Sequence, residues 1–185
     1  MSKIGLFFGS DTGNTEVIAR KLAERLTSAE IDLYNIAEAG PDDMDRYDKL
    51  ILGIPTWDFG GIQENWENFW PSLEALDFSH KTVALFGLGD QFGFGDYFLD
   101  AMGLLYDVIV AQGATVIGFW PTEGYDFEES KALTPDGSHF VGLAIDEDQQ
   151  FNLTEQRLDA WSQQLIQAFE FQQTPQRHPS SLPHT

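Results

Sequence analysis

An α/β fold, with a five-stranded parallel sheet, helices on both faces and a last strand interrupted by a long loop, is predicted by three observations. Short apolar runs recur along the chain without polar alternation, stretches of helical period separate them, and one long segment of turn formers breaks the final run. Runs that are apolar on both faces suit strands covered on both sides, and their alternation with helical period points to βα units.

The first strand is "KIGLFF" from Lys3, and after it Ile18, Leu22 and Leu26 repeat every four residues, as a helix packing one face on a sheet requires. "IDLYNI" from Ile31 supplies a second strand and "KLILGI" from Lys49 a third. Trp66, Phe69 and Trp70 then fall close together on one helix, a spacing that reads as plain packing. "TVALFGLG" from Thr82 is followed by Phe98, Ala101, Met102, Leu105 and Ile109, a helical stripe that Gly113 stops. "ATVIGFW" from Ala114 opens the last strand. Residues 120–139, "WPTEGYDFEESKALTPDGSH", carry no sustained period and read as an insertion within it, resumed by "FVGLAI". Leu158, Trp161, Leu165 and Phe169 stripe the last helix, with Asn152 or Thr154 available as its cap. From Phe171 the chain holds three prolines in fifteen residues, so residues 1–170 are expected to form one domain and 171–185 a disordered tail.

Composition narrows the function. Thirty acidic residues against ten basic ones give a formal charge of −20, which opposes binding to nucleic acid or to anionic membrane surfaces and favours basic partners. The absence of cysteine removes disulfides, thiolate catalysis and iron–sulfur ligation together, so redox chemistry would need a bound cofactor. "MSKIGLFFGSD" is too short in its apolar stretch for a signal-peptide core, and nothing approaches a membrane span. A cytoplasmic monomer is expected.

Three loops carry the chemistry. "GSDTGNTE" follows the first strand and offers the hydroxyls of Ser10, Thr12 and Thr15, a permissive Gly13, and a helix beginning near Asn14. Backbone N–H groups at a helix start, joined by hydroxyls, bind anions. The loop has no lysine or arginine, and the first cation after it is Arg20, so an anion there would be held by neutral dipoles. The same loop also reads as an ordinary turn with threonine caps. "PTWDFGG" and "GDQFGFGDYF" follow later strands, and in an open parallel sheet such carboxyl-end loops share one crevice. Trp57 and Phe94 could face each other there across a flat ring, or could be core residues near turns.

"GLFFGSDTGNTE", "LGIPTWDFG", "GLGDQFGFGDYFLDA" and "FVGLAIDEDQ", in this order, resemble the successive signatures of long-chain flavodoxins, over residues 3 to about 170. "LGIPTWDFG" and "GYDF" are similar to an auxiliary class of that family in enteric bacteria. The resemblance implies a doubly wound sheet of order 2-1-3-4-5 with FMN at the point where the strand order reverses, flavodoxin being the standard example of that arrangement. It places Ser10, Asp11, Thr12, Gly13, Asn14 and Thr15 around the FMN phosphate, and Trp57 and Phe94 on the two faces of the isoalloxazine. It gives the backbone of Asp58 and Phe59 a peptide flip toward flavin N5–H, eased by Gly60 and Gly61, that stabilises the neutral semiquinone. Asp90 and its neighbouring amides match the positions at the pyrimidine edge, and Asp146 matches one near the ribityl chain. Pro55, Thr56, Gly89, Gln91 and Phe98 complete the set. One departure is Phe94, where the family usually has tyrosine: stacking survives and the phenolic hydroxyl is lost.

The implied activity is that of a low-potential one-electron carrier, not an enzyme, shuttling between semiquinone and hydroquinone. Its implied donor is a flavin-containing NADPH reductase, and its acceptors are redox enzymes docking on the acidic face. A quinone reductase on the same scaffold would need an open pocket over the ring, which Trp57 and Phe94 would obstruct. A phosphate-accepting receiver would use Asp11 and Asp58 but also a lysine and threonine on later loops, which are missing in recognisable form. His80, His139, His178 and His184 show no metal or triad spacing.

Overall fold

The computed structural model describes residues 2–173. In chain order its strands are β1 (Ser2–Phe8), β2 (Ala29–Asn35), β3 (Lys49–Trp57), β4 (Gly61–Ile62), β5 (Thr82–Leu88), β6 (Thr115–Ile117), β7 (Trp120–Pro121), β8 (His139–Phe140) and β9 (Leu143–Ile145). The helices are α1 (Asn14–Arg25), α2 (Pro41–Asp45), α3 (Glu64–Ala75), α4 (Asp100–Ala111) and α5 (Thr154–Gln173). Helix α5 therefore continues past the expected domain end at residue 170, and the rest of the expected tail, residues 174–185, lies outside the described residues.

The sheet order is β2-β1-β3-β5-β6, and β9 also pairs with β5. Val83 of β5 lies opposite Val116 of β6, and Gly87 opposite Ala144 of β9, all parallel, so β6 and β9 are two halves of one interrupted fifth strand. Counted that way the order is the expected 2-1-3-4-5. Alternation sorts each strand's side chains to two buried faces. Leu50, Leu52 and Ile54 of β3 join Trp66, Phe69 and Leu73 of α3 and Met102, Leu105 and Ile109 of α4. Ile51, between them in sequence, packs on the other face with Ile18 and Leu22 of α1 and Leu158, Trp161 and Leu165 of α5.

Two local expectations differ from the structure. Trp57 is the last residue of β3 and not a loop residue, because β4 returns antiparallel beside it and pairs Trp57 with Gly61. The insertion is not structureless either. Its strands β7 and β8 pair antiparallel with Trp120 opposite Phe140, and Val141 N donates to Ala132 O. Strands of two residues are too short to leave a period in the sequence.

The insertion docks through apolar groups on the face that carries α4. Ala132 and Phe140 are fully buried, and Phe98 rests against Tyr125, Phe127 and Phe140. Its main chain also passes directly over α4 at Gly103, where an added Cβ would lie 2.3 Å from the Lys131 carbonyl oxygen. Backbone cannot rotate aside as a side chain does. Gly103→Ala is therefore expected to lower unfolding free energy by about 1 to 3 kcal/mol, an overpacking cost readable by chemical denaturation.

Candidate functional site

The loops after β1, β3, β5 and β9 converge at the carboxyl edge of the sheet around a cleft of about 340 Å3. Its first wall is built where β1 ends and α1 begins. Gly13, at φ 92, takes the left-handed turn into the helix, and its N–H donates to Ser10 Oγ at 2.9 Å. Among the described residues no side chain caps α1, so the first-turn N–H groups face a region lined by Ser10, Thr12, Asn14 and Thr15. Buried Gln63 holds this loop from behind by donating to Asp11 Oδ1 at 2.9 Å. Sequence reasoning missed Gln63, since its role exists only through that long-range contact.

The second wall is Pro55, Thr56, Trp57 and Asp58. A three-residue turn links β3 to β4, with Asp58 at φ 44 and Gly60 at φ 87. Aspartate tolerates that left-handed region better than most residues, and glycine enters it freely. The Trp57 ring is half-buried and lines the cleft, while its indole nitrogen is buried with no hydrogen-bond partner among the described residues. Phe59 turns outward instead: it is 76% exposed and stands edge-on to Phe94 and Tyr97. It shapes the mouth and does not line the cleft.

The third wall follows β5 and contributes Leu88, Gly89, Asp90, Phe94 and Tyr97. Asp90 Oδ1 accepts from Gly93 N at 2.8 Å, Phe92 N at 3.0 Å and Gln149 Nε2 at 3.0 Å. Burial alone would raise its pKa, but these bonds outweigh burial and hold the carboxyl below its ordinary value. Behind this loop, Asp146 is fully buried and accepts from Gln91 N, Gln91 Nε2, Asp148 N and Gln149 N at 2.8 to 3.0 Å. Asp146 and Gln91 therefore stitch two loops together beneath the surface and do not reach the cleft, contrary to the sequence expectation. Phe98, 1% exposed, is likewise a core residue under the loop. Gly13 and Gly60 act through backbone shape.

Sequence reasoning missed four cleft residues: Leu88, Tyr97, Glu147 and Asp148. The last two follow the interrupted fifth strand in "IDEDQ", and their position just past a parallel strand end was the available signal. Glu147 is raised in pKa chiefly by burial, and Asp148 by burial and then by the charges of Asp90 and Asp146. With Asp11, Asp58 and Asp90 they line a cleft to which, among the described residues, no lysine or arginine contributes. Arg20 is occupied on the helix surface by Glu16 at 2.9 Å. The cleft thus brings neutral donors, aromatic faces and carboxylates together.

Residues 6–161 match the sequence profile of a family described as flavodoxin. Flavodoxin 1 of Escherichia coli K12 is 51% identical over 165 residues, covering 89% of this chain and 93% of that protein. Flavodoxin 2 of the same strain is 47% identical over 163 residues, covering 88% and 94%. Among solved structures, Fusobacterium nucleatum flavodoxin bound to flavin mononucleotide superposes with a TM-score of 0.85 at 34% identity, covering 91% of this chain and 99% of that one.

Proposed function

The chain belongs to the flavodoxin family, and from that premise we propose that it is an electron-transfer protein, a low-potential one-electron carrier that holds FMN non-covalently in this cleft. One observation carries the placement: an uncapped helix start ringed by hydroxyls and a pair of aromatic residues line one and the same cavity. The FMN, when bound, supplies reversible one-electron chemistry. The Ser10 hydroxyl, whose oxygen already accepts from Gly13, retains a proton to donate, and with Thr12, Thr15 and the first-turn amides it receives the phosphate without a cation. Trp57 and Phe94 would cover the two ring faces and exclude water, and the indole N–H of Trp57, unpartnered among the described residues, would find an acceptor there. The Asp58–Phe59 peptide would be the one to answer reduction, with Gly60, already left-handed, and Gly61 supplying the backbone freedom beside it. Asp90, which lines the cleft, would meet the polar edge of the ring, while the amides of Gln91, Phe92 and Gly93 are spent inside the protein.

The charge of the site sets its working range. A carboxylate ~10 Å from a developing charge, at effective dielectric ~20 to ~80, opposes it by about 0.4 to 1.7 kcal/mol, or roughly 20 to 70 mV for one electron. Five carboxylates line the cleft. Addition of the second electron is thereby disfavoured, and the carrier works between its half-reduced and fully reduced states. Its donor is a flavin-containing NADPH reductase, in the cytoplasm where NADPH is the reductant, and its acceptors are redox enzymes with basic docking faces. It acts as a monomer. Among the described residues no helix is long and apolar enough to cross a membrane.

Reconstitution tests the proposal: the purified chain takes up FMN, shows flavin absorbance and quenches flavin fluorescence, and does not by itself oxidise NADPH. A protein that stays colourless with excess FMN refutes it. Phe94→Ala is expected to weaken FMN binding by about 1 to 2 kcal/mol, checked by fluorescence titration.

A further inference from the structure

A second groove, of about 320 Å3, lies between the 91–97 loop and the insertion and shares Phe94 and Tyr97 with the first cleft. Its walls are aromatic and open to water: Phe92 is 64% exposed and Phe59 more so. Its rim is Asp96, Asp126 and Glu128, all exposed and, among the described residues, without an ion-pair partner. Exposed phenyl rings favour an apolar, planar occupant, and their electron-rich faces together with three carboxylates favour a cation. Arginine meets both demands, because its planar guanidinium stacks on rings and donates in pairs to carboxylates, which a lysine ammonium does not do.

Resting on the carrier reading above, we infer that this groove anchors one arginine, carried on an otherwise apolar protrusion of the protein that exchanges electrons with the bound FMN. The groove is held ready for it. Glu128 N and Glu129 N both donate to Gly95 O, and Asp126 N donates to the buried Gln91 side chain, so the rim and the aromatic loop are tied together. A preformed site spares the partner the cost of ordering it. The shared wall at Phe94 sets an anchored partner directly beside the flavin cleft. A second copy of this chain is a poor occupant, since it brings the same acidic rim and the same −20 charge.

The test uses the FMN-loaded full chain and a purified flavin-containing NADPH reductase in stopped flow. Phe92→Ala and the double variant Asp126→Asn/Glu128→Gln are each expected to lower the second-order reduction rate about tenfold, with FMN affinity within about twofold of wild type. The double variant Glu74→Gln/Asp107→Asn removes the same charge from the bodies of α3 and α4 and is expected to change the rate less than about twofold. Wild-type rates in both groove variants, or an equal loss in the remote one, overturn the anchor while FMN binding keeps the carrier reading intact; failure to bind FMN sinks both. In an NMR titration, N-acetylarginine amide shifts the Phe92 and Glu128 amides more than N-acetyllysine amide does. Equal shifts overturn the choice of arginine. Self-association of the wild type that Phe92→Ala abolishes in sedimentation would assign the groove to a second copy and overturn the inference.

Discussion

Trp57→Ala is expected to weaken FMN binding by about 1 to 3 kcal/mol, a loss of roughly fivefold to 150-fold in affinity, as removal of an aromatic platform does elsewhere. The effect should exceed that of Phe94→Ala for two reasons. The indole offers the larger stacking face. It also carries a buried N–H with no partner among the described residues, so a bound group would relieve an unsatisfied donor as well as cover a ring. Trp57→Phe separates these terms, because it keeps a stacking ring and removes the donor. Fluorescence titration of the two variants and the wild type gives the order Trp57→Ala weakest, Trp57→Phe intermediate and wild type tightest. Equal affinity for wild type and Trp57→Ala would remove Trp57 from the binding face. Because Trp57 closes the β3–β4 hairpin with its backbone, opposite Gly61, its side chain can be changed without removing the ladder.

The second large effect is electrochemical. Glu147→Gln with Asp148→Asn removes two carboxylates from a cleft to which no described cation contributes. At roughly 20 to 70 mV per charge, the midpoint for the second electron should become less negative by about 40 to 140 mV. Both carboxyls have pKa values raised by burial, Asp148 further by Asp90 and Asp146, so they take up protons at higher pH than ordinary carboxyls. As pH falls from neutral toward the ordinary carboxylate range they discharge early, and the wild-type midpoint rises in that window. The double variant loses this part of the pH dependence. Stability carries the same sign: between the unfolded and folded pKa values the native state binds more protons than the unfolded chain, so stability from these groups is greatest below the unfolded pKa and falls as pH rises through the folded one. The variant is therefore expected to be more stable than wild type at neutral pH. Potentiometry showing an unchanged second midpoint would discard both carboxylates as determinants of potential.

Much of this was legible in the chain because it is written locally. Apolar runs without alternation announced the parallel strands, the four-residue stripes announced α1, α4 and α5, and the loop Ser10–Thr15 announced a helix start fitted for an anion. Trp57 and Phe94 stood out because each sits among glycines where a large ring needs a reason. The misplaced residues were those whose roles depend on contacts distant in sequence. Asp146 follows a strand end, as a cleft residue does, yet four hydrogen bonds turn it inward and leave Glu147 and Asp148 at the surface. Phe59 lies two residues past Trp57 but is turned outward to solvent after the left-handed Asp58.

The sequence by itself determined the order of elements, the hydroxyl-rich loop at a helix start, the aromatic pair and the acidic balance, since period, turn chemistry and charge are properties of neighbouring residues. Only the tertiary structure decided which carboxylates face the cleft, how the insertion braces the Asp90 loop, and that a second aromatic groove opens beside Phe94. Side-chain direction at a loop is set by hydrogen bonds and packing from other segments, here from Gln63, Gln91, Gly103 and Lys131, and no local pattern encodes those partners.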